Sequence, residues 1–176
     1  MTHRVAVIGG GVGGSTVALR LAELGLSVVL FERNDTLVSG PPVCHLHAGG
    51  SLYRELSDEA CLLLLRESIE TAKSHPQSIM PRPTVIAVPK RDGGDPAALL
   101  ARLGRLRACY SDLVRQDPAN RVLGDPEQYF RCFQRGEVQA LARESLPTEP
   151  NTSEDWLVPF ARYVDLEALQ FPIVLV

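Results

Sequence analysis

Val5-Ala6-Val7-Ile8-Gly9-Gly10-Gly11-Val12-Gly13-Gly14 stands near the amino terminus, and a second apolar run, Val28 to Phe31, closes on Glu32-Arg33. Arg4 to Ile8 is short, β-branched and apolar without alternation, the pattern of a parallel strand buried on both faces. Val12 to Leu24 carries Val17, Leu21 and Leu24 at helical spacing, and Gly25 stands where a left-handed cap is expected. Ser27 to Glu32 reads as a second strand, which a right-handed crossover sets parallel to the first. The stretch predicts a βαβ unit.

The glycines fit the G-x-G-x-x-G turn of a dinucleotide site as Gly9, Gly11 and Gly14. Gly9 permits the tight turn, Gly11 lets the backbone approach a pyrophosphate, and Gly14 lets the helix pack closely on the strand. The backbone N–H groups that open the helix, at Val12 and Gly13 among them, then face the phosphates. Glu32 follows Gly14 by eighteen residues, where a carboxylate accepts hydrogen bonds from the adenosine ribose hydroxyls. The same charge disfavours NADP, whose 2′-phosphate it repels. FAD and NAD share this fingerprint, so the βαβ unit alone leaves three readings open: a flavoprotein, an NAD-dependent dehydrogenase fragment, and a non-catalytic nucleotide-binding or interaction module.

The rest of the chain predicts mostly packing. Ser57 caps a helix to about Lys73, with Asp58 and Glu59 in its first turn; Thr84 to Val88 reads as a strand. Asp95-Pro96 opens a helix to about Gln116, on which Arg102, Arg105 and Arg107 read as the solvated side. Asp125-Pro126 repeats the signal before a stretch read as helical, whose Tyr129, Phe130 and Phe133 are core candidates. Pro147 to Asp155 reads as a linker, Trp156 to Phe160 as extended, and Asp165 to Gln170 as a short helix, before the apolar end Phe171-Pro172-Ile173-Val174-Leu175-Val176.

With 176 residues and a formal net charge of -3, the chain is large enough for a sizeable core and offers no electrostatic reason to expect nucleic acid as a partner. Its four cysteines, Cys44, Cys61, Cys109 and Cys132, form no C-x-x-C pair, which suits reduced thiols and a cytoplasmic setting. A strand beginning at Arg4 leaves no room for an export signal, and no apolar run reaches the roughly 20 residues that span a bilayer. Peripheral contact with the inner face of a membrane stays open.

The glycine stretch paired with Glu32-Arg33 resembles the flavoprotein oxidoreductases related to D-amino acid oxidase and glutathione reductase. Cys44-His45-Leu46-His47-Ala48-Gly49-Gly50-Ser51-Leu52-Tyr53 is similar to the malate:quinone oxidoreductase and 2-hydroxyglutarate dehydrogenase branch, and so is Arg102 to Phe133, with its Gly124-Asp125-Pro126-Glu127-Gln128-Tyr129-Phe130. The resemblance implies FAD as cofactor, held by Gly9, Gly11, Val12, Gly13, Gly14, Glu32 and Arg33, with His45, His47, Ala48 and Gly49 in a loop passing near the flavin. It implies a hydroxy acid or amino acid as substrate and a quinone or oxygen as electron acceptor. It implies an α/β fold, a Rossmann-like FAD/NAD(P)-binding βαβ core with a parallel sheet plus an appended helical region. The expected segments are 1–94 for the nucleotide-binding part, 95–146 for the helical part, and 147–176 for a linker and the start of a further region.

Enzymes of that family are more than twice as long, so the chain reads as an incomplete domain whose catalytic residues lie elsewhere, completed by a missing carboxy-terminal half or a protein partner. His45 and His47 would share one face of an extended segment. Metal ligation would need a further donor, and no metal site is expected. A loop packed on the flavin or pyrophosphate, with Gly49 and Gly50 allowing close approach, is the preferred reading; a surface loop without ligand contact and a covalent histidyl link to the flavin are the alternatives.

Overall fold

The computed structural model describes residues 4–36, 56–79, 84–146 and 153–176. The chain divides into two compact units, Met1–His45 and Leu46–Val176.

In the first unit, strands β1 (Arg4–Ile8) and β2 (Ser27–Phe31) run parallel, Arg4 opposite Ser27 and Ile8 opposite Phe31. Helix α1 (Val12–Glu23) connects them. Its end is closed by two backbone bonds, Gly25 N–H to Ala22 C=O at 2.9 Å and Leu26 N–H to Leu21 C=O at 3.1 Å. Gly25 adopts φ 80°, the left-handed conformation this closure needs and a Cβ would oppose.

The expected full burial of β1 is corrected to burial on one face. Val5, Val7, Val28 and Leu30 are half-buried on the side that α1 covers, whereas Ala6, Ile8, Val29 and Phe31 on the other side are exposed. A run of Val and Ile reads as doubly covered whether or not the unit supplies a second layer, and the described residues of this unit supply one helix.

In the second unit, α2 (Asp58–Ser74) and α3 (Pro96–Gln116) begin on the expected caps. Ser57 Oγ accepts from Ala60 N–H at 3.2 Å and Asp95 Oδ1 from Ala97 N–H at 2.9 Å. Short strands β3 (Val85–Ile86), β4 (Arg131–Phe133) and β5 (Ile173–Leu175) form an antiparallel sheet in the order β3-β5-β4. Helices α4 (Arg135–Leu141) and α5 (Ser153–Tyr163) complete the unit.

Alternation along β5 explains its apolar run. Val174 packs with Cys61, Leu65, Ile69, Leu103, Leu106 and Tyr110 of α2 and α3. Ile173 and Leu175 turn to the opposite side, with Phe133, Val138, Leu157 and Ala161 from β4, α4 and α5. A central strand covered on both faces needs apolar residues at successive positions.

Two local expectations are corrected. The stretch after Asp125-Pro126 makes one 3-10 turn, Pro126–Gln128, and then becomes β4 instead of continuing as helix. Pairing with β5, Phe133 opposite Ile173, outweighs the local helical signal. Trp156 to Phe160 belongs to helix α5 although Pro159 lies inside it, because Leu157 and Ala161, one helical turn apart, both reach the core.

Arg102 and Arg105 pair with the two oxygens of Asp58 at 2.8 and 2.5 Å, tying α3 to the start of α2, and Arg107 lies over the Phe130 ring at 5.3 Å. The Tyr110 hydroxyl donates to Gly124 C=O at 2.9 Å and accepts from Leu123 N–H at 3.0 Å, fixing residues 123–124 against α3. Tyr110→Phe removes both bonds at a buried position and is expected to lower stability by about 1–2 kcal/mol. A urea midpoint unchanged from the parent would show that the clamp contributes nothing.

Candidate functional site

The site is the junction of β1, α1 and β2. Gly9 turns the chain at φ 99° and its N–H donates to Phe31 C=O at 2.7 Å, which fastens the turn to the end of β2. Gly11 is the N-cap of α1, in an extended conformation at φ -64°, and has no side chain with which to cap. The first turn of α1 contains no acidic residue. Its opening N–H groups, which have no partner inside a helix, and its positive dipole end are left for an anion.

Gly14 is required by space. A Cβ built there would fall 1.8 Å from Gly9 O, so only glycine lets the first helical turn sit on the strand-to-helix corner. A Cβ on Gly13 meets nothing within 4 Å, so that glycine is a choice the fold does not demand.

Glu32, immediately after β2, reaches back into the turn. One carboxylate oxygen accepts from Gly10 N–H at 2.7 Å and the other from Asn34 N–H at 2.8 Å. The Asn34 bond, then the Gly10 bond, hold its pKa below the usual glutamate value, outweighing the opposing effect of partial desolvation. The group is ionised at neutral pH, with lone pairs left to accept from hydroxyls.

Of the residues singled out from sequence, Gly9, Gly11, Val12, Gly13, Gly14, Glu32 and Arg33 come together here, Arg33 as an exposed residue beside Glu32. His45, His47, Ala48 and Gly49 lie outside the described residues. Sequence reading missed Gly10, whose N–H meets Glu32, and Ser15, whose hydroxyl donates to Gly10 C=O at 2.8 Å. The signal for Ser15 was a hydroxyl one helical turn past Gly11 in an otherwise apolar and glycine-rich stretch.

A parallel βαβ unit with a glycine turn, an uncapped helix start and an acid after the second strand defines a nucleotide-binding protein of the α/β class. The chain belongs to the FAD dependent oxidoreductase family, whose model matches residues 4–128, more than half of it. FAD is the cofactor of that family.

Among curated proteins, 59 residues are 41% identical to 4,4'-diaponeurosporene oxygenase of Staphylococcus aureus strain MRSA252, covering 34% of this chain and 10% of that protein. The protein of the same name from strain USA300 matches at 41% over 58 residues, 33% of this chain and 10% of its own length. The match spans about a tenth of the length of these relatives. No solved structure matches the chain.

The residues present fit the ADP half of FAD: the Gly14 cradle that a Cβ would fill, the uncapped start of α1, and an ionised Glu32 at the rim. Among the described residues no helix is long and apolar enough to cross a membrane.

Proposed function

We propose that the chain is the FAD-binding amino-terminal portion of an oxidoreductase that oxidises a hydroxy acid or an amino acid, in the manner of malate:quinone oxidoreductase-like enzymes. The observation that carries the nucleotide reading is the Glu32 carboxylate beside the glycine turn, 2.7 Å from Gly10 N–H. In this reading Gly11, Val12 and Gly13 offer backbone N–H groups to the pyrophosphate over the close packing that Gly9 and Gly14 allow. Glu32 accepts from the ribose hydroxyls with Arg33 at its side, and His45, His47, Ala48 and Gly49 run along the flavin. Bound FAD supplies the hydride acceptor and passes the electrons to a quinone or oxygen; the chain binds and orients it. The similarity of Cys44 to Tyr53 to the malate:quinone branch supports the hydroxy acid as substrate.

Two measurements test this. Calorimetry on the 176-residue chain is expected to show FAD binding at least about tenfold tighter than NADP, because Glu32 opposes a 2′-phosphate. Equal affinities would remove Glu32 from the ribose. Protein purified from the complete reading frame is expected to be yellow and to lose its flavin colour on anaerobic addition of a 2-hydroxy acid or an amino acid. Colour that persists through a panel of both classes would overturn the substrate assignment while leaving the FAD site intact.

A further inference from the structure

Gly9-Gly10-Gly11 is the most permissive backbone in the chain, yet a pyrophosphate site needs its peptide groups aimed one way. The central residue, Gly10, is buried and is held on both sides: its N–H donates to Glu32 Oε2 at 2.7 Å, and its C=O accepts from Ser15 Oγ at 2.8 Å. Gly10 C=O and Gly11 N–H belong to one planar peptide group and point in opposite directions. Whatever fixes the carbonyl therefore aims the N–H. Without a Cβ on either neighbour, this peptide has little steric resistance to turning over, and a turned peptide would present a carbonyl oxygen where an anion needs a donor.

We propose that Ser15 is a positioning residue for the pyrophosphate of FAD, acting through the Gly10–Gly11 peptide; this rests on the nucleotide reading of the glycine turn. Its hydroxyl carries one hydrogen, and that hydrogen is used on Gly10 C=O, so Ser15 does not donate to the phosphate itself. Its place is fixed by α1, since Ser15 N–H makes the first helical bond to Gly11 C=O at 2.9 Å. The same helix turn thus presents its N–H groups to the anion and, through Ser15, orients the peptide that precedes them. Glu32 secures the other side of Gly10, so ribose recognition and phosphate recognition meet at one glycine, with separate side chains responsible for each.

The separation gives the test. Ser15→Ala and Ser15→Thr are made in the full 176-residue chain, and affinities for ADP and for adenosine are measured by ligand-observed NMR, with thermal midpoints alongside. Ser15→Ala is expected to weaken ADP about fivefold to tenfold and to leave adenosine, which has no phosphate, within about twofold. Ser15→Thr keeps the hydroxyl and is expected to restore ADP affinity to within about twofold of the parent. ADP affinity unchanged in Ser15→Ala overturns the proposal. ADP and adenosine weakening together also overturns it, because Ser15 would then only support the turn. Should Ser15→Ala fail to fold, the threonine variant decides: a folded Ser15→Thr chain with weakened ADP binding counts against the proposal. A parent chain that binds neither ligand withdraws the nucleotide reading itself, whatever Ser15 does.

Discussion

Gly14→Ala is expected to abolish measurable FAD binding, whereas Gly13→Ala, one residue earlier, is expected to preserve it and steady the helix. The new Cβ of Gly14→Ala would lie 1.8 Å from Gly9 O and 3.0 Å from Gly9 C, both backbone atoms. Gly9 cannot withdraw freely, because its N–H is bonded to Phe31 C=O at 2.7 Å and its φ of 99° already defines the turn. Overpacking against side chains costs about 1–3 kcal/mol, and a fixed carbonyl yields less than a side chain does. Helix α1 must slide away from the corner, taking its opening N–H groups out of register with the pyrophosphate. The expected loss is at least about 100-fold in affinity, or about 2.8 kcal/mol at 1.4 kcal/mol per decade. The same methyl on Gly13 meets nothing within 4 Å and removes a glycine from a helix, a gain of about 0.5–1 kcal/mol. Titration with FAD and a thermal melt of each variant distinguish the two. A Gly14→Ala chain that binds FAD within about threefold of the parent would mean that the close packing is not what the ligand requires.

The contrast also separates what could be read from sequence. The βαβ unit was legible because its signals are local and agree: apolar strands, helical spacing at Val17, Leu21 and Leu24, a cap glycine at Gly25 and an acid after β2. The caps at Ser57 and Asp95 were legible for the same reason, each being a side chain that bonds a backbone N–H two or three residues on. The second sheet was hidden because its three strands lie far apart in sequence and are only two or three residues long. Nothing within Arg131-Cys132-Phe133 announces that it pairs with Ile173 to Leu175, and Asp125-Pro126 argues locally for helix. In the site, the motif identified the glycines but not the bonds that hold them. Glu32 was placed by its distance from the glycines, yet its bond to Gly10, twenty-two residues away, exists only once β1 and β2 are side by side.

That bond gives Glu32 a double role, and Glu32→Ala is expected to weaken FAD and ADP by about 30- to 100-fold. The substitution removes the acceptor for the ribose hydroxyls and also leaves Gly10 N–H and Asn34 N–H without the oxygens that hold them at 2.7 and 2.8 Å. Glu32→Gln keeps one acceptor oxygen but replaces the other by a donor, which cannot serve a second backbone N–H, so an intermediate loss of about tenfold is expected. The pH dependence follows from the lowered pKa, whose causes are the Asn34 and Gly10 bonds. For a carboxylate held below its ordinary value, the stabilising contribution is fully present above that value and is lost as the pH falls through the lowered one. The advantage of the parent over Glu32→Gln is therefore expected to be constant from neutrality down to about pH 5 and to shrink in more acidic solution. The ratio of the two affinities is the quantity to follow, because the adenine ring also takes up a proton in acid and affects both proteins alike. A ratio that already falls between pH 8 and pH 6 would show that some other group governs the site, since an ionised Glu32 has no proton to gain there.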